Sequence, residues 1–201
     1  MIGLQGYGLF HRLIKNGHTL ADMGLHGTPG DVVRLSYRLR IVKAFRGITL
    51  EGIEARTSKG YDALMLVFLT HSALERYLPI IGLKTVDNIE PALDATHSAK
   101  VVAEIFDYDK DGKFFNFLHP RLNKRLKTKL SECRDGKCGN VGVVSESIRH
   151  IFAHGHLAPN ANDMKPELVC RICQKVSAFV LEFMDREFNN RMLEYARGKK
   201  V

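Results

Sequence analysis

One short stretch of the sequence, SESIRHIFAHGHLAPN at residues 145–160, concentrates side chains that can do chemistry. Within eight positions it carries an arginine and three histidines: Arg149, His150, His154 and His156. The surrounding pattern predicts a helix that stops at Gly155. Histidine titrates near neutral pH and can act as a general acid or base. Arginine offers a planar fork of donors that fits a phosphate group. The residue types therefore favour acid–base chemistry on a phosphate.

A metal site is a second interpretation of the same stretch. His150, His154 and His156 form an H-x3-H-x-H pattern, and the first two share a helix face. The HExxH mechanism of zinc proteases is excluded, because Ile151 stands where the general-base glutamate is required. A plain three-histidine site would have to overcome the charge of the adjacent Arg149.

A helix C-terminus is the third interpretation. Histidines in a last turn interact favourably with the helix dipole, and glycine commonly follows the last helical residue. This explains His154 and Gly155. It does not explain why Arg149 and His150 stand among apolar residues of a core stripe, where a buried charge requires an anionic partner.

The segment IRHIFAHG resembles the signature of the HEPN superfamily of helical proteins. That signature is an arginine, a polar residue, and a histidine after four to six intervening positions. Arg149 and His154 match with four intervening residues, and His150 takes the polar second place. The resemblance covers about ten residues closely, and beyond them extends only to a helical bundle with the motif ahead of a long final helix. It implies a metal-independent endoribonuclease that uses no cofactor, with Arg149, His154 and His150 as catalytic residues.

RNA cleavage without metal proceeds when the 2′-hydroxyl attacks the adjacent phosphorus. The reaction needs a base, an acid for the leaving oxygen, and positive charge for the phosphorane. In one continuous helix Arg149 and His154 would lie about 140° apart. A single site therefore needs the length of the arginine, a helix break, or a second subunit. The resemblance implies the last, a homodimer in which two motifs face one cleft and two copies of His154 divide the acid and base roles.

The resemblance also implies a biological setting: a toxin, antiviral-defence or RNA-processing component with a cognate antitoxin or regulatory protein. Some toxins of the family carry a regulatory tyrosine shortly after the histidine, but His156 stands there. The alternative to the enzyme is a HEPN-like module that binds RNA, nucleotide or a protein without cutting.

The composition fits a nucleic-acid partner. The 201 residues carry a formal net charge of +8, which attracts polyanions. The residues expected to contact the RNA backbone lie in PRLNKRLKTKL: Arg121, Lys124, Arg125, Lys127 and Lys129. A second basic stretch spans residues 34–46. The longest apolar run has about seven residues, so we expect no membrane span and a cytoplasmic protein.

Two further patterns suggest metal sites. Cysteines 133, 138, 170 and 173 form C-x4-C and C-x2-C pairs, which could hold zinc or be small buried residues; we predict no required zinc site. DYDKDGKFFNFL at 107–118 opens like a calcium loop, but Leu118 replaces the bidentate glutamate, and a polar turn between helices explains the same residues.

The periodicity predicts an all-α, up-and-down bundle of about five to six helices. Residues 1–30 hold seven of the 17 glycines and are interpreted as an N-terminal extension with a short amphipathic piece; residues 31–201 form the HEPN-like bundle. The predicted helices are Val32–Phe45 with Asp31 as N-cap, a segment with a core stripe from Tyr61 to Ser72 that ends at Gly82, Pro91 to Phe106, Phe114–Leu130, Val143–His154, and a long helix from Pro166.

Overall fold

The computed structural model describes residues 3–89 and 95–198, and in this part of the chain all regular structure is helical. The eight α-helices within these ranges are α1 (Tyr7–Lys15), α2 (Pro29–Ala44), α3 (Ala55–Ile80), α4 (Ala95–Tyr108), α5 (Lys113–Leu118), α6 (Lys124–Arg134), α7 (Val141–Ala153) and α8 (Pro166–Gly198). The all-α class is confirmed, but the expected five to six helices were too few. The helix start predicted at Pro91 lies outside the described residues.

One extra helix arises because a predicted single helix is divided. The segment predicted as Phe114–Leu130 contains α5, a 3-10 turn over His119–Arg121, and the start of α6. Pro120 lacks the backbone N–H that a continuous helix requires. The side chain of Asn123 then caps α6 by accepting a hydrogen bond from the Leu126 N–H at 3.0 Å.

The start of α2 also differs from the prediction. The N-cap is Thr28, three residues before Asp31. The Asp31 carboxylate accepts hydrogen bonds from the Thr28 N–H at 2.9 Å and the Thr28 hydroxyl at 2.7 Å, so it closes the first turn from inside the helix. Those bonds and Arg34 hold the pKa of Asp31 below its usual range.

Helix α3 is the centre of the bundle and contacts α8, α7 and α2. The stripe predicted from Tyr61 to Ser72 is wrong as a single core face, because of its six members only Leu64 is fully buried. The buried positions instead form one broad face of α3, which includes Val67, His71 and Leu74 at i, i+4 and i+7. Apolar residues also occupy the half-buried positions of α3, because α8, α7 and α2 all contact the helix, so the apolar pattern alone does not identify the buried face. The helix ends near Gly82 as predicted, where φ is +81°.

The segment before residue 31 packs into the same hydrophobic core as the remaining helices. Its buried residues are Leu4, Phe10, Leu13, Leu20, Met23 and Leu25. The ring of Phe10 meets that of Phe188 in α8 at 6.0 Å between centroids. The Lys43 ammonium of α2 donates to the Gly3 carbonyl at 2.8 Å and forms an ion pair with Asp185 of α8. The glycine-rich segment is thus attached to both α2 and α8.

The acidic turn after α4 has a structural use. Asp109 is buried, and its carboxylate accepts the N–H groups of Phe114 and Phe115 at 3.0 and 2.9 Å. Its oxygens therefore satisfy the first turn of α5, as expected for a carboxylate at a helix N-terminus. This agrees with the polar-turn interpretation of DYDKDG.

The two cysteine pairs lie at different places in the fold. Cys133 and Cys138 are near the end of α6, whereas Cys170 and Cys173 are in the first turns of α8. Burial raises the pKa of the Cys133 and Cys173 thiols, which disfavours the thiolate that zinc binding requires. Over residues 3–89 and 95–198, no three or more His, Cys, Asp or Glu side chains are grouped to hold a metal ion. No helix in these ranges is both long and apolar enough to cross a membrane.

Candidate active site

Helix α7 carries the motif, and it starts from a firmly anchored residue. Asn140 is buried; its side-chain oxygen accepts the Gly142 N–H at 2.9 Å, and its amide donates to the Val86 carbonyl at 2.8 Å. The helix then presents Val144, Ile148 and Ile151 to the core. It ends two residues before Gly155, which has a φ of +72°. The predicted motif helix is close to the observed one and stops where the glycine predicted.

His150 and His154 lie against each other at the C-terminal end of α7. Their ring centroids are 4.6 Å apart, and the rings meet edge to face. His154 is exposed, while His150 is half-buried. Burial, and then the neighbouring His154 and Arg149, lower the pKa of His150. The neutral form of His150, which can accept a proton, is therefore favoured.

Arg149 lies beside the histidines but points toward α3. Its Nη2 is 3.3 Å from Oε1 of Glu75, and 33% of its side chain is exposed. Its Nε is buried and has no hydrogen-bond partner within the described ranges. Exposed ion pairs of this kind contribute at most about 1 kcal/mol to stability. A phosphate can therefore take the place of Glu75 at small cost.

A buried polar contact beneath Arg149 was missed by the sequence analysis. His71 of α3 is 1% exposed, and its Nδ1 is 3.0 Å from the Ser145 hydroxyl of α7. Its Nε2 lies 3.9 Å from Glu75. Desolvation, and then the charge of Arg149, lower the pKa of His71 to about 3, so the ring is neutral and adds no charge beside the arginine. The spacing of His71 and Glu75, at i and i+4 of α3, was the only sequence signal for them.

The structure therefore brings His150 and His154 together and places Arg149 on the adjoining side of the helix. The third histidine of the metal interpretation, His156, is exposed beyond Gly155, and its N–H binds the Ile151 carbonyl at 3.1 Å. The three histidines do not belong to any group of metal-ligating side chains in the described ranges.

The predicted RNA-binding segment lies along α6, which packs on α7. Several of its cations are engaged within the protein. Arg125 pairs with Asp87 at 2.7 Å and with Glu146 of α7, and Lys129 pairs with Glu132 at 3.0 Å. The remaining three cations of the segment are Arg121, which donates to the Phe117 carbonyl at 2.7 Å, exposed Lys124 and half-buried Lys127. Contact of this segment with RNA stays a prediction.

The low pKa of His71 predicts a pH dependence of stability. In the unfolded chain His71 binds a proton below a pH of about 6.5, whereas the folded ring stays neutral down to about 3. The contribution of His71 to the free energy of unfolding is therefore complete above pH 6.5. It is lost as pH falls toward 3, by up to about 1.4 kcal/mol per pH unit. The free energy of unfolding, measured by urea denaturation at several pH values, should fall less steeply with decreasing pH in His71→Gln than in the wild type. An equal pH dependence of the free energy of unfolding in the two proteins between these pH values would contradict the buried neutral ring.

Comparison with known proteins adds no further identification: no family model matches the sequence, and neither the curated proteins nor the solved structures give a significant match. The site must therefore be judged on its geometry and chemistry.

Proposed function

We propose that the protein is a metal-independent endoribonuclease whose site is the C-terminal end of α7. The observation that carries the proposal is the contact between His150 and His154, 4.6 Å apart at an accessible helix end, beside an arginine with an unsatisfied buried Nε–H. Two imidazoles and a guanidinium are the groups that internal cleavage of RNA needs. The net charge of +8 favours a polyanionic substrate.

In the proposed reaction one side chain supplies the base, a second supplies the acid and a third supplies the positive charge. Neutral His150, whose pKa is lowered, takes the proton of the 2′-hydroxyl as its oxygen attacks phosphorus. The bond from phosphorus to the 5′-oxygen breaks, and His154, as the general acid, donates a proton to that oxygen. Arg149 donates to the oxygens of the phosphorane, where charge increases in the transition state. The products are a 2′,3′-cyclic phosphate and a 5′-hydroxyl.

The orientation of Arg149 supports a composite site in a homodimer. Within one chain Arg149 turns toward Glu75, while His154 lies about 140° around a regular helix. In a two-fold dimer the arginine of one subunit can face the histidines of its partner. The proposal is therefore that each of two sites combines Arg149 of one chain with His150 and His154 of the other.

Mixing two inactive variants tests this arrangement. We expect Arg149→Ala and His154→Ala chains, denatured and refolded together, to recover about a quarter of the wild-type activity, since half of the dimers are mixed and one of their two sites is complete. Each variant refolded alone is the control. Light scattering at micromolar concentration should give a dimer. A strict monomer, or no recovery in demonstrated mixed dimers, would rule out the composite site.

The class of reaction is tested by the products. The purified protein should cleave RNA in excess chelator and leave cyclic or 3′-phosphate ends, and it should not cleave DNA, which lacks the 2′-hydroxyl. Cleavage of DNA, or activity that requires added metal, would contradict the proposal.

The ion pair between Arg149 and Glu75 favours a second candidate, a module that binds RNA or a protein without cutting. A guanidinium that stays with Glu75 cannot stabilise a phosphorane. RNA binding without cleavage by the wild type would favour this candidate.

A further inference from the structure

The outward side of α2 combines cations with exposed apolar groups. Its members, which we call the α2 face, are Arg34, Tyr37, Arg38, Arg40 and Ile41. Tyr37 and Ile41 are 58% and 61% exposed, the highest values among the large hydrophobic residues described as exposed. The guanidinium carbon of Arg40 lies 5.3 Å from the centre of the Tyr37 ring. An aromatic ring among arginines on an exposed helix is suited to nucleic acid.

The structure separates these arginines from the other cations of the same basic stretch. Lys43 points inward and is held by Asp185 and by the Gly3 carbonyl. Arg46 donates to the carbonyls of Lys43 and Phe45 at 2.8 and 2.9 Å. In contrast, Arg34 pairs with Asp31 only at the exposed helix start, with 65% of its side chain accessible. An exposed pair of this kind is readily exchanged for a phosphate.

The α2 face borders the same part of α3 as the catalytic arginine. Arg38 donates to the Ser72 hydroxyl of α3 at 3.0 Å. One turn later Glu75 pairs with Arg149, and Glu75 also lines a surface cavity together with Arg34 and Arg76. Three residues of α3 thus lie between the α2 face and Arg149: half-buried Ser72 and the exposed Glu75 and Arg76.

We infer that the α2 face binds single-stranded RNA and leads it past Ser72, Glu75 and Arg76 to Arg149. The ring of Tyr37 stacks on a base, and Arg34, Arg38 and Arg40 contact phosphates. The inference rests on the proposed function and adds to it that the substrate is unpaired RNA. In a duplex the base faces are covered by stacking and are not available to a side chain such as Tyr37.

Charge argues against a second copy of the chain on this surface. A two-fold interface on the α2 face would place the arginines of one copy near those of the other. Arg34 has Asp31 beside it, but Arg38 and Arg40 form no ion pair within the described ranges, so like charges brought together there are repelled. A polyanion is complementary to the same arrangement.

Binding is measured on the His154→Ala background, so that cleavage doesn't consume the probe. The probe is a fluorescently labelled 12-nucleotide oligouridine, and the readout is anisotropy over a range of salt concentrations. We expect Tyr37→Ala to weaken binding about 10-fold and Tyr37→Phe to retain it, because the phenyl ring still stacks. Arg38→Ala should lower the salt dependence of log K by about 0.7 for the single lost phosphate contact. An RNA duplex of the same length should be insensitive to Tyr37→Ala.

Arg171→Ala is the matched control. Arg171 of α8 also lies over a tyrosine ring, that of Tyr108 at 5.1 Å, but it borders a cavity with Asp107 and Asp111. We expect this variant to bind like its parent. Wild-type affinity in both Tyr37→Ala and Arg38→Ala would overturn the inference, and so would a change of oligomeric state in either variant.

The outcomes separate this inference from the endoribonuclease proposal. If binding depends on Tyr37 but the wild type never cleaves RNA, the α2 face stands and the enzyme fails. If the wild type cleaves RNA but binding is independent of Tyr37 and Arg38, the enzyme stands and the α2 face is overturned.

Discussion

Replacing His154 or Arg149 with alanine is expected to lower the rate of RNA cleavage by about 10² to 10⁴-fold each, the usual cost of removing a general acid–base group or an electrostatic donor. Both side chains are at least partly exposed at the end of α7, so neither substitution removes core packing. The rate is measured on a labelled RNA in excess chelator. Circular dichroism and the thermal unfolding midpoint should stay close to the wild-type values.

His156→Ala is the matched control for this experiment. His156 is exposed two residues after His154, and the bond that it makes to Ile151 comes from its backbone N–H, which alanine keeps. Its effect on the rate should be the smallest of the three histidines, whereas His150→Ala, which removes the proposed base, should lower the rate by a factor similar to that of His154→Ala. Undiminished cleavage by His154→Ala would remove the mechanism, since that side chain is the proposed acid.

Asp185→Ala is expected to lower the free energy of unfolding by about 3 kcal/mol, because it leaves the Lys43 ammonium without its counter-charge in a mostly buried place. Asp185 is 7% exposed and also accepts the Gln5 N–H at 3.0 Å, so the substitution removes a partner from both α2 and the N-terminal segment. Urea denaturation followed by circular dichroism measures the loss.

Two further variants test whether that loss of stability is caused by the charge pair of Lys43 and Asp185. Glu182→Ala removes an exposed carboxylate of the same helix, 3.9 Å from Arg186, and should change stability by less than about 0.5 kcal/mol. Lys43→Met combined with Asp185→Leu removes both charges and should be clearly more stable than Asp185→Ala alone. If Asp185→Ala were as harmless as Glu182→Ala, the N-terminal segment would not be tied to the bundle in this way.

Some of the features on which the RNA-cleavage proposal depends could be predicted from the sequence, and others could not. The motif Arg149–His154 and the end of its helix at Gly155 could be predicted from the sequence, because a helical period and a glycine after the last turn are local properties. The α2 face could be predicted from the sequence only in part. The sequence shows a basic run over residues 34–46, but it does not show that Lys43 turns inward to Asp185 while Tyr37 and Ile41 remain exposed.

The sequence by itself determined that the protein is helical and where α7 and α8 lie, and it predicted which few residues carry the candidate chemistry. Proline at the start of α8 and the apolar spacing that follows are sufficient for that, since each acts within a few residues. It underestimated the number of helices, because the amphipathic piece that forms α1 was assigned to the N-terminal extension and the break at Pro120 was not recognised.

Only the tertiary structure decided which groups meet. Glu75 reaches Arg149, and His71 reaches Ser145, in each case across 74 positions of the chain. It also decided that His71 is buried and neutral, and that α3 is covered on several sides. The physical reason is that hydrophobic periodicity reports which side of a helix is apolar, whereas the partner of a charge, and therefore its pKa and availability, depends on which other helix packs against it.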